Sequence, residues 1–237
     1  MQHRSGAVAG AQAANVEHVV ALVPGERTTL ILLSRRDAEV STKQNTAGEP
    51  RDALSFKNTT PTAIADVPAD WPDDVIWWGG AMLRTAQMAG ALETTLDLST
   101  RYATERVQFG KPISAFQAIQ HQLAQMAQHT GSALVSAEAA FAESGSQLAA
   151  WQIAAAKVCG AEAAGAVAAM AHAVHGAIGF THEHALQLGT RRLWAWRSEF
   201  GNLGHWTQRL GRAVAQGGSA SLWPAVTSGR LAALSST

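Results

Sequence analysis

The chain has 237 residues, enough for one sizeable core or for one domain with a smaller appendage. Lys plus Arg and Asp plus Glu number 18 each, so no net field draws nucleic acid or an anionic membrane. The single cysteine, Cys159, excludes an internal disulfide and a cysteine-based zinc site, and its Ala-rich surroundings read as those of a small buried hydrophobe.

The first ten residues have the outline of a secretory leader. Gln12, Asn15, Glu17 and His18 interrupt it before an apolar core develops. No stretch reaches the roughly 18 uninterrupted apolar residues of a membrane span, so the expectation is a soluble, cytoplasmic protein. Val16–Val23 is rich in β-branched residues, ends at Pro24-Gly25 and reads as a strand. Thr28–Leu33, closed by Ser34-Arg-Arg-Asp37, reads as a second strand and Ala53–Phe56 as a third. Three strands are few for an independent sheet. Residues 1–60 are therefore expected to form part of a β-domain whose remainder is missing or supplied by another chain. Pro61, Pro68 and Pro72 mark residues 61–74 as a linker.

From Val75 to about Val107 the apolar spacing is helical, with Ile76, Leu83, Met88, Leu92, Leu96 and Tyr102 near one broad face. Gly110-Lys111-Pro112 breaks that helix. A second is predicted from about Ala115 to Glu143, a turn at Ser144-Gly145-Ser146, and a third helix from about Leu148 to Val174. The third is Ala-rich and carries Gly160 and Gly165, so its backbone can lie close to neighbours. A loop at Gly176–Phe180 precedes a fourth helix over His184–Ser198 and a fifth over Leu203–Ala215. Long antiparallel helices joined by short turns make a bundle. The fold predicted is mainly α: an up-down helical bundle over residues 75–216, preceded by a partial β-domain and followed by a flexible tail at 217–237.

Two places can carry chemistry. Arg106, Gln108 and Phe109 sit at a helix end beside a tight turn, where a cation, an amide and a ring can meet one ligand. Arg suits phosphate because its planar fork donates two hydrogen bonds at once. The same residues also read as an arginine complementing the helix dipole and a phenylalanine anchoring the core. Gly176-Ala-Ile-Gly179 can bring backbone N–H groups close to a phosphate, and a plain helix-ending turn has the same pattern. His172, His175, His182 and His184 do not form an i, i+4 pair with a third ligand in sight, so no metal site is expected. Arg191-Arg-Leu-Trp-Ala-Trp-Arg197 reads as tryptophans packed between helices, with arginines paired or facing solvent. Trp77-Trp78 is a similar case at a helix start.

The run Tyr102-Ala-Thr-Glu-Arg-Val-Gln-Phe-Gly-Lys-Pro-Ile-Ser-Ala-Phe-Gln-Ala-Ile-Gln-His121 resembles the signature of the acyl-CoA dehydrogenases, in their helical C-terminal domain. His175-Gly-Ala-Ile-Gly-Phe-Thr-His-Glu-His184 resembles the glycine-rich loop of the same domain, in the same order and spacing. The resemblance is good over about residues 75–215 and weak over 14–60. It implies FAD as cofactor and removal of two hydrogens across the α,β bond of an acyl-CoA thioester, a carboxylate taking the α-proton. By motif, Arg106, Gln108, Phe109 and Gln117 fall where the family grips FAD, commonly that of a neighbouring subunit. Gly176 and Ala177 fall in the loop that approaches the cofactor by backbone, and Ala177 departs from a second glycine.

The catalytic carboxylate departs further. One family position lies about seven turns before the motif arginine, and counting back reaches Gly80 in Trp77-Trp-Gly-Gly80. The other precedes a glycine after the fourth helix; counting from Phe180 places Gly201 on the glycine and Phe200 on the base. Glu199 misses by one position, about 100° of turn in a helix, and is the one candidate for catalysis. The family's usual N-terminal helical domain has no counterpart ahead of the β-like segment. The resemblance therefore implies an auxiliary subunit of a homo- or hetero-oligomeric acyl-CoA dehydrogenase, contributing flavin contacts while another acyl-CoA dehydrogenase subunit supplies the base. The alternatives are a self-sufficient dehydrogenase using Glu199, and a non-catalytic helical scaffold or fragment.

Overall fold

The computed structural model describes residues 15–68, 71–142 and 149–228. The leader-like start and the expected turn at Ser144-Gly145-Ser146 lie outside the described residues. The chain divides after Ile76 into two compact units.

The first unit is β. Strands β1 (His18–Val23) and β2 (Thr29–Ser34) pair antiparallel, with Val20 opposite Leu32, across the Pro24-Gly25 turn. Strand β3 (Ala38–Ser41) pairs with β4 (Ala53–Phe56), Val40 opposite Leu54. Strand β5 (Ala63–Asp66) adds to the free edge of β2, with Ile31 opposite Ile64. Ile31, Leu33 and Leu54 are buried, so alternation along β2 points one face inward. β5 is a difference from the expected 61–74 linker. Pro61 and Pro68 do break the chain, but they flank the strand, where no ladder donor is needed. β5 is exposed along its whole length, so its sequence carries no burial signal.

The second unit is a helical bundle, as the apolar spacing predicts. Its helices are α1 (Val75–Glu105), α2 (Gln117–Ala142), α3 (Ala150–His175), α4 (Leu186–Trp196), α5 (Leu203–Gly217) and α6 (Ser219–Ser228). α3 is the central helix and packs on α2, α4 and α5. Ala154, Ala156, Ala161, Ala163, Ala164, Ala168 and Ala171 are all buried. Small side chains let neighbours close in: a Cβ on Gly160 would lie 2.9 Å from Met88 Cε, and one on Gly165 would lie 2.9 Å from Arg197 Nη1. α3 is apolar and long enough to cross a membrane by length and composition, and 56% of its most apolar window is buried inside the bundle. Trp78 and Trp206, buried and edge-to-face at 4.9 Å, join the starts of α1 and α5. Of the stretch expected as a flexible tail, residues 219–228 form α6, whose Ala225 is buried in the same cluster as Trp78 and Trp206.

Candidate functional site

Sequence-predicted residues gather at one end of the bundle. α1 stops at Glu105, and the chain reverses through a short hairpin of β6 (Val107–Gln108) and β7 (Lys111–Pro112), closed outside by Ile113 N donating to Arg106 O at 2.8 Å. The two turn residues, Phe109 and Gly110, have φ of 52° and 78°, the left-handed pair of a type I′ turn. That geometry is ordinary for Gly110 and costs about 1 kcal/mol or more for Phe109. The phenyl is 91% exposed and meets Phe116 edge-to-face at 6.1 Å. Lys111 Nζ lies 4.4 Å from the centre of the Phe116 ring. Arg106 is exposed and has no acidic partner among the described residues. Gln108 donates to its own strand's Val107 O. Gln117, the first residue of α2, is exposed. An open cation, an outward ring and two amides are groups of the kind that a nucleotide pyrophosphate takes.

The Gly176–Phe180 loop is a 3-10 turn capping α3, with Gly176 at φ 62° and its N–H returned to His172 O. A Cβ on Gly179 would meet His175 Cβ at 2.9 Å and Leu186 Cδ2 at 3.1 Å, so glycine is required there for packing. Tyr102 of α1 stacks on His175 of α3 at 4.5 Å and 21°. One helical turn separates Tyr102 from Arg106, so this stack brings both predicted motifs to the same end. Beside the turn lies a cleft of about 740 Å³, floored by Ala168, Ala169, Ala173, Gly176 and Ala177 and walled by His172, Phe180 and Trp194.

Glu199 is elsewhere. Its carboxylate accepts from Arg84 Nε at 2.7 Å and lies 2.6 Å from Arg84 Nη2, with both side chains mostly buried. Arg84 also donates to Gln87 and sits 5.3 Å from the Trp196 ring centre. Lys157, fully buried on α3, donates to Glu199 O at 2.7 Å and Trp196 O at 3.4 Å, capping the end of α4. Burial holds the Lys157 ammonium down at about 8, against the attraction of Glu199 and with help from Arg84. The expected candidate base is thus held in an ion pair, which keeps its oxygen engaged. Arg84 sits about 30 Å along α1 from its C-terminal end at 1.5 Å per residue. One chain therefore does not bring Glu199 to the Arg106 corner.

Next to Glu199, Phe200 and Gly201 have φ of 52° and 95°. The Phe200 ring lies directly over Gly80, where any Cβ would overlap it. Trp206 Nε1 donates to Phe200 O at 2.9 Å, and Trp77 meets the ring edge-on at 5.7 Å. Sequence reasoning missed Arg84 and Lys157. A lone cation in an otherwise apolar helical run was the available signal, since such charges are buried only when paired or hydrogen-bonded.

A family model described as the C-terminal domain of acyl-CoA dehydrogenase matches residues 79–204. The chain is 30% identical over 158 residues to acyl-CoA dehydrogenase IpdE2 of Mycolicibacterium smegmatis, covering 66% of this chain and 50% of that protein. It is 36% identical over 164 residues to acyl-CoA dehydrogenase FadE34 of Mycobacterium tuberculosis, covering 68% of this chain and 22% of that protein. The aligned part is half or less of these relatives' length. In fold it resembles the ChsE4-ChsE5 complex from Mycobacterium tuberculosis, with a TM-score of 0.73 at 21% identity over 86% of this chain and 57% of that one.

Proposed function

The chain belongs to the acyl-CoA dehydrogenase family, and from that premise we propose that it is an auxiliary subunit of a FAD-dependent acyl-CoA dehydrogenase. It contributes flavin contacts to a site shared with another acyl-CoA dehydrogenase subunit, and that partner supplies the base for the α-proton of the thioester. The observation that carries this reading is the packing of Phe200 on Gly80. These are the two positions reached by counting to the family's carboxylate. Here they meet as a ring and a bare Cα, and Glu199 is tied to Arg84.

In this reading Arg106 meets the pyrophosphate, Phe109 packs on the adenine end, Gln108 and Gln117 offer amides, and the Gly176-Ala177 backbone approaches closely. The bound flavin would accept the hydride from the β-carbon of the acyl group. The separation of about 30 Å between the Arg106 corner and Glu199 along α1 favours a site completed between chains. The proposal extends to this chain the two-chain arrangement that the ChsE4-ChsE5 complex carries in its name.

The test is the flavin absorbance of the purified chain, alone and after co-expression with a full-length acyl-CoA dehydrogenase subunit from its own genome, followed by addition of acyl-CoA. Flavin that appears and bleaches only with the partner supports the proposal. Bleaching by the chain alone would replace it with a self-sufficient enzyme. Absence of flavin in both samples would favour a scaffold.

A further inference from the structure

We propose that the Gly176–Phe180 turn is an acid-sensitive latch, held shut by two imidazoles that each bury one proton-free ring nitrogen with no acceptor beside it among the described residues. It stands on the geometry of the turn alone and does not depend on the functional reading above.

One ring holds a turn residue and the other holds the end of α3 just before the turn. His172 stacks on Phe180 at 4.4 Å and 23°, and His175 stacks on Tyr102 at 4.5 Å and 21°. Their tautomers follow from their partners. Thr190 Oγ1 lies within hydrogen-bond distance of both Leu186 O, at 3.3 Å, and His172 Nε2, at 3.1 Å; with its hydrogen on Leu186 O it accepts from His172 Nε2. His172 Nδ1 is then the bare nitrogen, and it is buried without a partner among the described residues. His175 Nδ1 donates to Ala171 O at 2.8 Å, which leaves His175 Nε2 bare, also buried without a partner. A second proton on either ring would place a charged N–H where nothing accepts it.

The surroundings reinforce this. The titratable groups facing His175 are Tyr102 from α1, His184 from the segment before α4, and His172 from its own helix. His172 faces Phe180 of the turn and Thr190 of α4. His184 lies 4.8 Å from His175, ring to ring, and accepts from Leu186 N through Nδ1. No carboxylate pairs with any of the three rings among the described residues. Burial lowers the proton affinity of both His172 and His175; for His175 the bond to Ala171 O opposes this in part and the neighbouring imidazoles add to it.

The sign follows from linkage. The shut turn holds both rings neutral, whereas an open turn exposes them to protonate near the ordinary histidine value of about 6.5. Opening is therefore favoured as the pH falls through that value. Between pH 7.5 and 5.5 each ring that protonates only in the open turn raises the opening constant about tenfold.

The experiment is amide hydrogen exchange on the full 237-residue chain at pH 7.5 and 5.5, corrected for intrinsic rates, with the middle of α2 as internal reference. The reporters are the N–H groups of Gly176 and Thr181, bonded to His172 O and Ile178 O. The expected result is at least a tenfold loss of protection at the turn with α2 unchanged. That loss should vanish in the His172→Phe/His175→Phe double variant, which keeps both stacks and cannot be protonated. Equal turn protection at the two pH values, or a full acid effect in the double variant, overturns the latch. If the variant does not fold, NMR titration of the wild-type imidazoles decides. Rings that stay neutral until the turn loosens support the latch, and rings that charge near 6.5 with the turn still protected overturn it. Flavin content measured separately at pH 7.5 tests the functional reading, so either can fail without the other.

Discussion

The ring of Phe200 occupies the space in which a side chain at Gly80 would begin. Exposed helix glycines gain up to about 1 kcal/mol on replacement by alanine, but here the clash opposes that gain and wins. Gly80→Ala should destabilise the bundle by about 1–3 kcal/mol, the usual cost of overpacking. Phe200→Leu in the same chain should recover part of the loss, giving a favourable coupling in a double-mutant cycle measured by chemical denaturation. Additive effects would mean that the two positions do not compete for space.

Arg84 and Glu199 are joined across 115 positions of sequence and screened from water. Removing one partner leaves the other buried and uncompensated. Arg84→Met should therefore cost about 3–5 kcal/mol, and the paired replacement Arg84→Met/Glu199→Leu much less. A double variant that loses as much as the two single variants added together would show the pair to be energetically idle.

Lys157 makes the bundle respond to alkaline pH. Its folded value is lowered to about 8 from an ordinary 10.5, so between those limits the unfolded chain binds more protons than the folded one. On this group's account stability rises with pH from 8 towards 10.5, by up to about 3 kcal/mol, and the contribution is absent below 8, where both states are charged. Comparing wild type with Lys157→Met in denaturant titrations at pH 7.5 and 9.5 isolates the effect. The wild type should gain relative to the variant, and parallel behaviour would contradict the buried ammonium.

Phe109 separates stability from binding. Phe109→Asn places Asn-Gly in the type I′ turn, the pair this turn favours, and should leave the fold unchanged or more stable by about 1 kcal/mol. Under the proposed function it should weaken flavin retention in the assembled enzyme, as should Arg106→Ala. Full flavin occupancy in both variants would remove this corner from the cofactor site.

Much of this arrangement is legible in the sequence. The five long helices follow apolar periodicity, and the reversal after Glu105 follows Gly110-Lys111-Pro112. What escaped has physical causes. β5 is exposed throughout, so no alternation marks it. α6 holds Pro224 and little periodicity, and only the tertiary burial of Ala225 reveals it as part of the bundle. The left-handed Phe109 and Phe200 could not be read from residue types that seldom adopt that backbone, although each precedes a glycine. The fate of Glu199 depended on Arg84, a partner that only folding brings within reach.

The hairpin at Phe109 has a consequence for how fast a ligand is captured. Its tip is fixed by two strand pairs and a main-chain bond to Arg106 O, so the ring is already presented outward before anything arrives. Little segmental freedom remains to be lost on contact, which is the gain of a pre-organised surface. Association at this corner should then proceed at the rate of productive encounter, without a loop-ordering delay. Differences among variants of the corner should show mainly in residence time.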